Sequence, residues 1–228
     1  MGREILSNFT PSGIRERSEQ MTGIARHESG HALMHLLNKN RRIFGFFINR
    51  LHFETVENIA RLLDDVPILQ NFTPPFGVMI AEDLSDGTAP KDSNHDVLQS
   101  LAGLATEHGE AFAGARLTFP LRYEPDFAPI TRRLNAQLPP EKTPCSDDVI
   151  FSCSKRIVGE LHNVFQSHFT CRRGIDAMTK YMVRHEASVG SRTHTDLLKV
   201  VESEGLDATK RQELLNYLAS IDVDALLR

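Results

Sequence analysis

The sequence predicts a mainly helical domain with a small β-sheet near its start. Three observations point there. Several long stretches repeat apolar residues at helical spacing, two short stretches are rich in aromatic and branched residues, and six of the eleven prolines crowd into one connection. Taken in order, residues 1–21 read as a polar arm containing Pro11 and Gly13. A helix follows over 22–38, with Thr22 as its cap and Lys39, Arg41 and Arg42 at its basic end. Strands are expected within "RIFGFFINRLHF" at 42–53 and "FGVMIAE" at 76–82. Between them, 54–66 carries Val56, Ile59, Leu62 and Leu63 at helical spacing.

A second long helix is expected over 95–115, with Val97, Leu98, Leu101, Leu104 and Ala105 as its buried stripe. Ala102, Gly103 and Ala105 would let another helix come close. The prolines at 120, 125, 129, 139, 140 and 144 make 116–145 read as a long loop, either functional or a surface insertion. A third long helix opens at Ser146, a good cap, with Asp147 and Asp148 in its first turn. Shorter helices are expected at 174–186, 193–203 and 207–220. The organisation is then an arm at 1–21, a core at 22–166 and a helical region at 167–228 packed on that core.

Composition narrows the function. The chain has 228 residues, 40% hydrophobic and 25% charged, with net charge −4. A mildly acidic chain without basic runs gives no reason to expect nucleic acid. No apolar run approaches the roughly 18 residues of a membrane span, and the first residues lack a signal-peptide core. Three cysteines, 145, 153 and 171, form no CxxC pair. An odd, unpaired count fits a reducing compartment, so cytoplasm is the expectation. Met1 and the polar start suggest a complete short protein.

The chemistry lies in "ARHESGHALMHLL" at 25–37. Residues four apart on a helix share a face, so His27 and His31 can present both rings to one point. Zinc accepts two imidazoles readily, and Glu28 beside that face can act as general base toward water. HExxH therefore supplies two metal ligands and a base for hydrolysis in five residues. Random order would give the pattern about 0.03 times in this composition. His35 extends the stripe but fits no ligand pattern and reads as packing or support. A catalytic zinc usually takes a third protein ligand. Spacing leaves Glu54, Glu57, Glu82, Glu107, Glu110, Asp147 and Asp148 open, with Glu107 equally able to orient a ligand histidine.

"TGIARHESGHALMHLL" resembles the active-site helix of the FtsH family of ATP-dependent membrane proteases, whose motif reads HEAGH. "FGVMIAED" is similar to the family's strand after that helix, and "LQSLAGLATEHGEAFAG" to its helix with the LGGRAAEE pattern. "PCSDDVIFSCSKRIV" resembles the segment GASNDLxxAT, whose Asp is the third zinc ligand. The resemblance spans about 22–166. It implies a helical zinc metallopeptidase domain acting on polypeptides, with zinc on His27, His31 and Asp148, Glu28 as base and Glu107 in a secondary role. The strand at 76–81 would then bind substrate in extended form. Ser29 departs from the family's Ala, and no GxxxxGK[ST] nucleotide loop occurs in the chain. The resemblance thus implies a peptidase without its own ATPase, self-assembled or served by an ATPase on another chain. The alternative is a catalytically silent zinc-binding relative that binds a partner or regulates a protease.

Overall fold

In the computed structural model the described residues are 11–48, 77–84, 93–114, 124–139 and 143–228. Helix α1 runs Pro11–Leu37, followed by β1 (Arg41–Phe47) and β2 (Val78–Asp83). Then come α2 (Asn94–Gly114), α3 (Glu124–Gln137), α4 (Asp147–Ser167) and α5 (Phe169–His185). Strand β3 (Ala187–Val189) and helices α6 (Arg192–Ser203), α7 (Ala208–Ala219) and α8 (Val223–Leu226) complete the chain. The described fold is mainly helical with one three-stranded antiparallel sheet in the order β2-β1-β3. No described helix is long and apolar enough to cross a membrane.

Two expectations change. The first helix begins at Pro11, so 11–21 continue α1 rather than forming a loose arm. Proline suits a helix start because its missing N–H would have had no partner there. The expected loop at 116–145 contains α3 over Glu124–Gln137. Pro125 lies in the first turn, where no intrahelical bond is lost, and Pro129 forfeits one bond just beyond it. Phe127, Ile130 and Leu134 recur on one side of α3 and are buried, which outweighs that loss. The helix expected at 54–66 lies outside the described residues. β3 adds three residues to the sheet and was not expected, being too short for a periodic signal.

Helix α1 is the centre of the molecule. It packs on α2, on α5 and on the sheet. From Ile24 to Leu37 every residue is buried except Arg26 and His31, which are half-buried. A helix enclosed on all sides has no wet face, so each polar group on it needs a partner inside. Arg26 donates from Nε to the Thr106 carbonyl at 2.8 Å and pairs with Asp176 of α5 at 2.9 Å. Ser29 donates to the Ala25 carbonyl at 2.7 Å, and the Thr179 hydroxyl of α5 stands 3.1 Å from its oxygen. The serine inside HESGH is thus accommodated by a hydroxyl on the neighbouring helix.

The α1–α2 contact is backbone-close. A Cβ on Gly30 would strike the Ala102 carbonyl oxygen and stand 2.7 Å from Thr106 Oγ1. The opposite side of α2 faces α4, where His162 lies over Gly109 and its Nδ1 is 3.0 Å from the Ala105 carbonyl. Small residues on both sides of α2 therefore set its depth between two helices. Gly30→Ala is expected to force α1 and α2 apart and to cost about 1–3 kcal/mol, as overpacking does. Thermal unfolding of the variant should show a clear drop in Tm, and an unchanged Tm would show that the interface tolerates a methyl.

Candidate metal centre

His27 and His31 lie one turn apart on α1 and turn their Nε2 atoms to one point, 3.0 Å apart. Asp126, in the first turn of α3, meets them there. Its Oδ2 is 3.1 Å from His27 Nε2 and its Oδ1 is 3.5 Å from His31 Nε2. Ligand atoms about 2.0–2.1 Å from a tetrahedral ion stand about 3.3 Å apart, so these spacings suit one ion. Among the described residues this is the one group of three or more His, Cys, Asp or Glu side chains that can hold a metal.

The other ring nitrogens decide the protonation. His31 Nδ1 is 2.9 Å from the Gln99 carbonyl oxygen, which can only accept, so Nδ1 carries the proton. His27 Nδ1 is 3.1 Å from Glu107 Oε2 and donates likewise. With the rings neutral, both Nε2 atoms are lone pairs aimed at a carboxylate. Asp126 Oδ2 is buried and makes no hydrogen bond among the described residues, despite its closeness to His27. Two lone pairs and a carboxylate in a buried space repel one another unless a cation lies between them. A metal ion meets that need, and orienting partners of this kind are typical of metal-bound imidazoles.

Glycine makes the room. A Cβ on Gly103 of α2 would overlap His27 Nε2 and stand 2.6 Å from His31 Nε2. Gly77, just before β2, does the same for Glu28. A Cβ there would come 2.5 Å from Glu28 Oε1 and 2.7 Å from Ile24 Cγ2. Glu28 itself is 5% exposed. Burial pushes its carboxyl above the usual range, against the opposing pull of His31 and His27.

Without metal the cluster holds protons. Burial opposes charge on His27, but Asp126 and then Glu107 outweigh it and raise the ring to about 10. Asp126 pays the same burial penalty, yet His27 and His31 hold its carboxyl at about 2. Glu107, against its own burial, is held at about 2 by His108 and His27. His35 behaves differently. It is buried, its Nδ1 has no hydrogen-bond partner among the described residues, and burial pushes it down to about 3. It stays neutral and outside the cluster.

Asp148, anticipated from sequence as the third ligand, does not join the group that meets at the histidines among the described residues. Asp148 is exposed in the first turn of α4, and Asp147 and Glu82 are also exposed. Helix α4 packs on the face of α2 that carries Ala105 and Gly109, whereas the histidines lie against the face with Gly103 and Glu107. Asp148 is therefore not brought to the imidazoles, and Asp126 is. Glu54 and Glu57, like the side chain of Glu110, lie outside the described residues. Glu107 sits behind His27, where it orients the ring. Asp126 went unnoticed because Pro125 and Pro129 made its segment read as loop. The signal available was the spacing of Phe127, Ile130 and Leu134, which is helical despite both prolines.

Neither a protein-family model nor a curated protein sequence matches this chain.

Two outcomes follow for metal binding. Asp126→Asn is expected to lower zinc affinity at least about 10-fold while Asp148→Asn leaves it unchanged, as equilibrium dialysis with metal analysis would read. The reverse order would return the third ligand to α4. Affinity is also expected to rise with pH, because the ion must displace the proton that His27 keeps up to about 10. The slope is about tenfold per unit through neutral pH for one displaced proton. Calorimetry at pH 7 in buffers of different ionisation enthalpy should show that proton released, and none released would mean that His27 is already neutral.

Proposed function

We propose that this chain is a zinc-dependent metallopeptidase of the FtsH-like kind, hydrolysing peptide bonds. The observation that carries the reading is the convergence of His27 Nε2, His31 Nε2 and Asp126 within a few ångströms, with Glu28 adjoining His27 in the chain. Two imidazoles and one carboxylate are a donor set that suits zinc and leaves a coordination position open. Zinc bound there would lower the pKa of a water and polarise a carbonyl.

The chain's own groups supply the rest. Glu28 is buried and inclined to hold a proton, as a base receiving one from water and passing it to a leaving amine needs. Strand β2 forms one end of the described sheet, and Gly77 at its start stands against Glu28. An extended peptide adding to the side of β2 away from β1 would run past Glu28, with main-chain hydrogen bonds for affinity.

Part of the resemblance found in the sequence also falls on the new residue. In GASNDLxxAT the Asp is followed by an apolar residue and, five positions on, by Thr. Asp126, Phe127 and Thr131 reproduce that spacing, whereas Asp148 has Cys153 in the Thr position. The order of elements supports the same reading: the HExxH helix, a partner helix carrying Glu107, then a helix offering a carboxylate.

The deciding test is degradation of an unfolded protein such as casein by the zinc-loaded chain without ATP. The wild type is expected to cleave, and Glu28→Gln is expected to keep one zinc per chain while losing about 100-fold or more in rate. Equal cleavage by both would remove Glu28 from the chemistry. Zinc bound by both without cleavage would favour a silent, partner-binding relative.

A further inference from the structure

Glu107 and His108 are neighbours on α2, and neighbours on a helix leave it in different directions. The His108 ring nonetheless turns back, with Nε2 3.3 Å from Glu107 Oε1. The other oxygen, Oε2, is 3.1 Å from His27 Nδ1. One carboxylate is thus gripped at each oxygen by a different imidazole. The terminal torsion of a glutamate is broad, so a single contact leaves the carboxylate plane loosely defined. Contacts on both oxygens fix it.

The chain of contacts also runs inward. The His108 side chain is 34% exposed, whereas Glu107 and His27 are 11% and 10% exposed. His27 in turn carries its Nε2 into the metal cluster. The plane of the Glu107 carboxylate sets the direction of the His27 N–H bond, and so the aim of the nitrogen across the ring. A ligand whose ring tilts loses overlap with the ion, which is why partners behind a ligand histidine matter to affinity.

We propose that His108 is a positioning residue for the metal centre, holding Glu107 in the orientation that aims His27 at the ion. The proposal rests on the metal-centre reading and does not require peptidase activity. It assigns a role to a residue beside the partner glutamate and outside the group of three that can hold the ion.

The test uses the full chain with Zn2+ and Co2+ alone. Zinc dissociation constants come from competition with a chelating dye, and the visible Co2+ spectrum reports the ligand geometry. Glu107→Ala is expected to weaken zinc about 10–100-fold, and His108→Leu about 3–10-fold with a changed Co2+ spectrum. His108→Gln, which keeps an N–H donor, should restore both. In the Glu107→Ala background, His108→Leu should cost nothing more, because residues acting through one link do not add.

Zinc binding by His108→Leu equal to that of wild type would overturn the proposal. So would losses that multiply in the double variant. A lower unfolding temperature of metal-free His108→Leu that His108→Gln fails to restore would assign the residue to packing instead. A wild-type chain that binds neither ion would overturn the metal centre itself, and this role with it.

Discussion

Two imidazole nitrogens and a carboxylate meet where little of any of them faces solvent, and the fold is arranged around that meeting. Like partial charges brought within 3.0–3.5 Å repel, so the site is costly as a bare set of acceptors. A proton or a metal ion removes the cost. The same repulsion explains the unusual titration: His27 keeps its proton to about 10, and Asp126 gives its own up by about 2. A cluster so disposed is poised to exchange protons for a divalent cation.

Holding that cluster together takes elements distant in the chain. Helix α1 supplies both histidines, α2 supplies Glu107 and the Gln99 carbonyl behind them, and α3 supplies Asp126. Hydrophobic packing brings α1 and α2 close, but glycine decides how close. Gly30 lets the two backbones approach, and Gly103 leaves space where the imidazoles project. The arrangement is rigid for a simple reason. The two rings lie between Gly103 of α2 and Asp126 of α3, so neither can swing far unless one of those elements moves.

The same enclosure ties the sheet to the metal side. Gly77 leads into β2 and lies directly on Glu28, so the sheet end and Glu28 share one wall. Glu28 is thereby shielded from bulk water and set beside the start of β2. Burial raises the Glu28 carboxyl while the neighbouring imidazoles pull it down, a balance that an ion in the cluster would shift further toward the charged form.

The local pattern of this chain was enough to determine the helices with regular apolar spacing, the two main strands and the pair His27 and His31 with Glu28 beside them. Those features depend on residues within one or two turns, and a sequence displays such relations directly. The third carboxylate was another matter. Seven acidic residues were eligible by type, Asp126 was hidden between two prolines, and the resemblance to a known motif pointed to Asp148 on a helix that packs against the far face of α2. Which acid completes the site depends on which face of α2 each later helix covers. That is fixed by long-range packing of Phe127, Ile130 and Leu134 and by the depth that glycine allows between helices, and only the tertiary structure decides it.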